Sequence, residues 1–333
     1  MTNLRIFLAG ATGALGRRLV PMLVERGHHA FGTTRSRPQL VAEMGAEPVV
    51  LEPLDRAAVR EAVLAARPDV VVHQLTALSG LKFGRSFDRT FAMTNRLRTE
   101  GTDHLLAAAR EAGVTRLVWQ SYAGWPVARD GDAIKDEDAP FDPHPPADVR
   151  ETLEAIKHLE AVVAEAGGTV LRYGGFYGPG TSLSPDGEHA ELLRRRRFPV
   201  GGNGAGVWSL IHIDDAAAAT VAAIERGTPG VFNIVDDDPA PASELLPELA
   251  KAFGAPAPRY VPGWLVRLAA GGQAHSMMTR IRGASNAKAK RELGWAPAHS
   301  WRQRDSFRAA PRDSSRAARD SSRATPRDSS RAA

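Results

Sequence analysis

The apolar run Leu4-Arg5-Ile6-Phe7-Leu8-Ala9 leads directly into glycines at 10, 13 and 16, and then into an amphipathic stretch through Leu19 and Leu23. A strand, a glycine triplet and a helix in that order leave few folds open. The first glycine permits a tight turn, the second lets backbone approach a pyrophosphate, and the third allows close helix–strand packing. The free N–H groups and positive dipole end of the helix then face the phosphates. A glycine triplet alone is a weak signal; its place between a strand and a helix at the start of the chain supplies the confirming context. Gly10, Thr12, Gly13, Ala14, Leu15 and Gly16 are therefore the expected dinucleotide-phosphate contacts.

The rest of the chain repeats the alternation. Short apolar runs at 29–33, 48–51, 70–75, 114–120 and 169–172 are separated by amphipathic stretches at 17–26, 56–66, 98–112 and 150–166. Apolar strands spaced by helices predict βαβ units: an α/β Rossmann-type, doubly wound parallel sheet covered on both faces. Residues 179–205 and 239–301 are less regular and richer in Pro and Gly, as expected of a smaller C-terminal substrate-binding region at the carboxyl edge of the sheet. The nucleotide-binding domain is then 1–178 plus 206–238. No stretch reaches the roughly 20 apolar residues of a membrane span, and Gly10 and Arg17-Arg18 interrupt the first run too early for a signal peptide.

Charge sharpens the division. The chain has 43 Lys+Arg against 38 Asp+Glu, a net +5. Residues 302–333 alone carry nine Arg and four Asp in Arg-Asp-Ser repeats, so residues 1–301 are balanced and give no reason to expect a nucleic-acid partner. The repeats have almost nothing apolar to bury, which predicts a disordered basic tail. The absence of cysteine excludes disulfides, thiolate metal sites and cysteine nucleophiles and fits a cytoplasmic protein. The histidines lack metal-ligand spacing, so no metal is expected.

The end of the second strand bears on the nucleotide. A carboxylate there would hold the ribose hydroxyls of NAD; this chain has Thr33-Thr34-Arg35-Ser36-Arg37. A guanidinium at Arg35 suits a 2′-phosphate, which favours NADP over NAD. The other reading leaves both arginines solvated and binds NAD through backbone.

At this point residues 3–300 resemble the extended or atypical short-chain dehydrogenases/reductases of the NAD-dependent epimerase/dehydratase group. The resemblance rests on Gly10 to Gly16, on Leu171-Arg172-Tyr173-Gly174-Gly175-Phe176-Tyr177-Gly178-Pro179-Gly180, on His212-Ile213-Asp214-Asp215-Ala216-Ala217 and on the run KAKRELGWAP ending at Pro297. It implies an adenine contact at Asp55, cofactor contacts at Thr76, Ala77, Tyr173 and Gly174, and substrate contacts at Gly175, Tyr177, Arg197 and Trp208. It also implies a homodimer through the helices at 98–112 and 150–166.

Enzymes of this group use a hydroxyl residue, a Tyr and a Lys, the last two as Y-x-x-x-K on one helix face. Lys157 fits as a cofactor-ribose ligand, but four residues before it stands Leu153. Ser121-Tyr122 ends the fifth strand where the group keeps its hydroxyl pair, which makes Tyr122 the candidate acid/base, with Ser121 and Lys157 in support. The resemblance implies an NAD(P)-dependent enzyme moving hydride at a carbonyl or alcohol carbon of a small or sugar-like substrate. A nucleotide-sugar epimerase or dehydratase is the second reading, and a non-catalytic NADP sensor the third.

Overall fold

The computed structural model describes residues 3–78 and 85–308. The first apolar run forms β1 (Arg5–Ala9), and the following runs form β2 (His29–Thr34), β3 (Glu47–Val50), β4 (Val70–His73), β5 (Arg116–Tyr122), β6 (Thr169–Tyr173) and β7 (Gly230–Ile234). All pair in parallel, in the order β7-β6-β5-β4-β1-β2-β3. The order reverses between β1 and β4, so the crevice at their carboxyl ends is the switch point where open α/β sheets take ligands.

The helices divide between the two faces because alternate strand residues point to opposite sides. Ile6, Leu8, Val70, Val72, Val118 and Leu171 pack against α1 (Gly16–Glu25) and α8 (Ile213–Arg226). Phe7, Val71, Leu117 and Trp119 pack against α3 (Arg56–Ala66), α5 (Thr102–Glu111) and α6 (Arg150–Glu165). In chain order the remaining helices used below are α2 (Pro38–Glu43), α4 (Phe87–Arg96), α7 (Glu188–Arg194), α9 (Ala242–Ala252), α10 (Gly263–Thr279) and α11 (Ala287–Leu293).

Two features differ from expectation. The helix expected at 98–112 begins as a π-helical turn, Leu97–Gly101, that joins α4 to α5. Residues 302–308, expected to belong to a disordered tail, are packed instead: Arg304–Phe307 forms a 3-10 turn and Phe307 is only 2% exposed. Its ring packs against Tyr177 at 5.2 Å and Phe253 at 5.0 Å, in a core shared with α7 and α9. One aromatic side chain is enough apolar surface to anchor a turn that is otherwise polar. The repeats from 309 onward lie outside the described residues.

Candidate functional site

The glycine loop has the form its sequence implies. Gly10 adopts φ +104°, and a Cβ there would lie 2.7 Å from the Gln74 carbonyl oxygen. A Cβ at Gly16 would lie 2.3 Å from the Gly10 oxygen, the close helix–strand approach expected of the third glycine. Gly13 is exposed, and a Cβ there would meet only the Gly10 oxygen, at 3.3 Å. Thr33 Oγ1 accepts from Gly10 N at 3.0 Å and pins the loop to β2. No side chain caps α1 and no acidic residue lies in its first turn, so its positive end is not neutralised, although Arg17 N and Arg18 N donate to the Gly13 and Leu15 carbonyls at 3.0 and 2.9 Å. This cradle fits a pyrophosphate.

Beyond β2, Arg35 and Arg37 are both exposed, and Arg37 Nη2 donates to the Thr12 carbonyl at 3.2 Å. Arg37 therefore reaches the loop itself, whereas the 2′-phosphate was expected at Arg35. Asp55 is committed elsewhere: its carboxylate caps α3, accepting from Ala57 N at 3.0 Å and Ala58 N at 3.1 Å. Thr76 and Ala77 follow β4 at the crevice, and Ala77 N donates to Thr94 Oγ1 at 3.1 Å.

At the other flank the expected group of Ser121, Tyr122 and Lys157 does not assemble. Strand alternation turns Ser121 to the same face as Trp119, where its hydroxyl donates to Glu160 Oε1 at 2.6 Å. Glu160 is also held by Arg172, in a buried ion pair at 2.7 Å. Ser121 is therefore part of a buried network and does not face the crevice. Lys157 lies at the edge of α6, its ammonium paired with Glu154 at 2.8 Å, beside a surface cavity of about 460 Å³ lined also by His144 and Arg150. No hydrogen bond joins it to Tyr122. Leu153, one turn earlier, is fully buried with Trp125, Val149, Ile156 and Ile281.

Tyr122 points the opposite way from Ser121. Its ring borders this same apolar cluster, together with Trp208 and Met277, and its hydroxyl lies 3.9 Å from where a Cβ on Gly175 would be. Burial pushes its pKa up to about 12, opposed by the Arg98 guanidinium nearby. Trp208 Nε1 donates to the Met277 carbonyl at 2.8 Å, which fixes the indole in place. Tyr122, Gly175 and Trp208 are thus brought together.

Other expected contacts turn out to be structural. The Tyr173 hydroxyl is buried between Thr220 Oγ1 at 2.7 Å and Gln74 Nε2 at 3.3 Å, and burial raises its pKa. Gly174 makes room for the strand at Leu210–His212, since a Cβ there would sit 2.7 Å from Ser209 O. Tyr177 is wholly buried against His212 and Phe307, its pKa driven up by burial. Arg197 is exposed after α7, whose neighbouring Arg195 pairs with Glu191 at 2.6 Å.

The structure also gathers histidines that are far apart in sequence. His212, Asp215 and His299 bring ligand-type atoms within 4.8 Å of one another. Several of these atoms are already engaged, though His212 Nε2 is buried without a partner among the described residues: His212 Nδ1 caps α8 by accepting from Asp214 N at 3.2 Å. Asp215 Oδ2 accepts from Ala298 N and His299 N, and its Oδ1 lies 3.0 Å from His299 Nδ1. The two imidazoles stack at 3.9 Å. This arrangement fastens residues 298–299 to α8. No helix among the described residues is long and apolar enough to cross a membrane.

Comparison with known proteins agrees with this geometry. The profile of the NAD dependent epimerase/dehydratase family matches residues 6–235. The chain is 45% identical over 303 residues to a 3-diazoavenalumate denitrifying reductase of Streptomyces sp, covering 90% of this chain and 98% of that protein. It is 31% identical to a 2-alkyl-3-oxoalkanoate reductase of Stenotrophomonas maltophilia, over 76% of this chain and 77% of the other. The fold matches a UDP-glucose 4-epimerase crystallised with UDP-glucose from Thermotoga maritima, with a TM-score of 0.71, 22% identity and coverage of 91% of this chain and 96% of that one. A Rossmann sheet with an intact phosphate cradle, in a chain so related to reductases, belongs to the NAD-dependent epimerase/dehydratase family, as an NAD(P)-dependent oxidoreductase or epimerase-like enzyme.

Proposed function

We propose that this protein is an NADPH-dependent reductase that replaces a diazo group on a small conjugated substrate by hydrogen, releasing dinitrogen. The observation that carries this reading is Leu153, fully buried in an apolar cluster where the family's resemblance calls for a proton-donating Tyr. Reduction of a carbonyl makes an alkoxide that must be protonated, so it needs an acid at the reacting oxygen. The reduced nicotinamide supplies hydride, and hydride arriving at a diazonium carbon expels N2 without forming an oxyanion. A site built for that reaction has no use for the missing Tyr. The 45% identical relative is named for such a denitrifying reduction, and the substrates named for both reductase relatives are carboxylates.

On this reading the loop from Gly10 to Gly16, at the positive end of α1, holds the pyrophosphate, and the exposed Arg35 and Arg37 meet the 2′-phosphate, Arg37 already lying against the loop. Trp208, Met277 and Tyr122 border the substrate space and keep it apolar, which suits a flat conjugated body. Ser121 and Lys157 take no part in the chemistry on this reading; they position β5 and the edge of α6.

A second reading, ordinary ketone reduction with Tyr122 as the proton donor, is favoured by the placement of its hydroxyl beside Gly175. Incubation with NADPH deuterated at the transferable position separates the two. Deuterium at the former diazo carbon of an arenediazonium acid, with N2 release above the enzyme-free rate, is expected. Reduction of a 3-oxoalkanoate with no N2-forming activity would replace the first reading by the second. Binding of NADPH without turnover of either would leave the non-catalytic sensor. A lower Kd for NADPH than for NADH, lost in an Arg35→Ala/Arg37→Ala double variant, is the outcome expected for the nucleotide.

A further inference from the structure

We propose that the Arg98 guanidinium is the docking point for a carboxylate of the substrate, at the β4–β5 end of the crevice. Arg98 lies in the π-helical turn between α4 and α5, a rare conformation that tends to occur at functional sites. The widened turn leaves the Leu97 carbonyl to accept from His73 Nε2 at 3.2 Å, which holds the turn against the carboxyl end of β4. Arg98 is only 8% exposed, and its Nη1 is buried with no hydrogen-bond partner among the described residues.

The neighbouring groups do not neutralise it. Glu160 is the carboxylate whose field reaches Arg98. Its oxygens are already taken by Arg172 Nε at 2.9 and 3.1 Å, by Arg172 Nη2 at 2.7 Å and by Ser121 Oγ at 2.6 Å. Burial draws the His73 pKa down to about 4, so that imidazole is neutral at neutral pH. Tyr122, raised to about 12, is neutral as well. Arg98 itself is lowered by burial to about 10 and stays charged. One uncompensated positive charge therefore sits beside the carboxyl ends of β4 and β5, close to His73 and Tyr122.

An unpaired buried charge is costly, and the same fold pairs the buried Arg172 in full through Glu160. The economical explanation is a counter-ion that arrives with the ligand. The cofactor's phosphates are drawn to the opposite flank, to the glycine loop after β1 and to Arg35 and Arg37 after β2. The anion at β4–β5 is then the substrate's own, and a planar carboxylate matches a guanidinium fork. The inference rests on the proposed reductase reading only for calling the ligand a substrate.

Calorimetric titration of 4-hydroxycinnamate and of its methyl ester into the full chain saturated with NADP+ tests this without turnover. The acid is expected to bind about tenfold or more tighter than the ester, as for a charge-assisted hydrogen bond. Arg98→Met should abolish that preference and Arg98→Lys keep part of it, with NADP+ affinity the same in all three. Because Arg98→Met removes an unpaired buried charge, its thermal midpoint should not fall; should it fail to fold, Arg98→Gln takes its place in the titration. Equal binding of acid and ester by the wild type, or a preference that survives Arg98→Met, overturns the proposal. A retained acid preference in a protein that turns over neither diazonium nor ketone would instead count against the reductase reading alone.

Discussion

At the residue scale, the two adjacent hydroxyls that end β5 have different fates because a strand sends them to opposite faces. Ser121 is sealed into the Glu160–Arg172 pair, whereas Tyr122 borders the apolar cluster at the crevice. Tyr122→Phe should therefore leave diazonium reduction within about twofold of wild type. Any ketone reduction should fall by about 100-fold or more, the usual cost of removing a general acid; steady-state rates with both substrates check this. Asp236 makes a second prediction. Burial, reinforced by nearby Asp215, pushes its pKa up to about 8. The folded state thus holds a proton that the unfolded chain, with an aspartate pKa near ~3.9, has released. The folded pKa is the higher one, so stability falls as pH rises between those two values. Asp236→Asn should flatten the decline between about pH 5 and pH 8, as read from urea midpoints at several pH values. A parallel decline in both proteins would contradict it.

At the element scale, the glycine loop shows how similar residues serve separate ends. Gly10 needs its positive φ and lies against the Gln74 backbone, so Gly10→Ala should cost at least about 2 kcal/mol of stability. Gly13 has an ordinary backbone and an open side, so Gly13→Ala should fold normally and lose NADPH affinity. Denaturation and fluorescence titration of the two variants separate these effects. The loop was legible in the sequence because strand, turn and helix are contiguous there. The π-helical turn was not: a local pattern of apolar spacing fits a continuous helix, and only the contact of Leu97 with His73 marks the widened turn. Asp55 carries a related lesson, since a carboxylate just before an alanine-rich helix is equally a cap and a ligand, and its side chain chose the cap.

At the scale of the whole molecule, the C-terminal region closes over the sheet by tying distant segments to α8. Asp215 receives the amides of Ala298 and His299, Trp301 Nε1 donates to the Asp238 carbonyl at 2.8 Å, and Phe307 completes the core between Tyr177 and Phe253. A chain ending at Arg308 should melt at the wild-type temperature. One ending at Gln303 loses Phe307 and should be less stable by roughly 3–5 kcal/mol, the range for removing a buried phenylalanine. Calorimetry of the two truncations decides between them. Tyr173 and Tyr177, which flank the glycine pair in the sequence, are unavailable to ligands for separate reasons: Tyr177 lies under His212 and Phe307, and the Tyr173 hydroxyl is held by Thr220 of α8 and by Gln74.

The layered α/β architecture, the phosphate cradle and the absence of a Tyr four residues before Lys157 were already legible in the amino-acid sequence. Each of these follows from neighbours along the chain, through strand and helix periodicity or through spacing on one helix. The direction of the side chains at the strand ends, the burial of Tyr177 and the unpartnered guanidinium of Arg98 were settled by tertiary contacts. Those properties depend on which segments meet across the sheet, where burial and the loss of water set both the partner and the charge of each group.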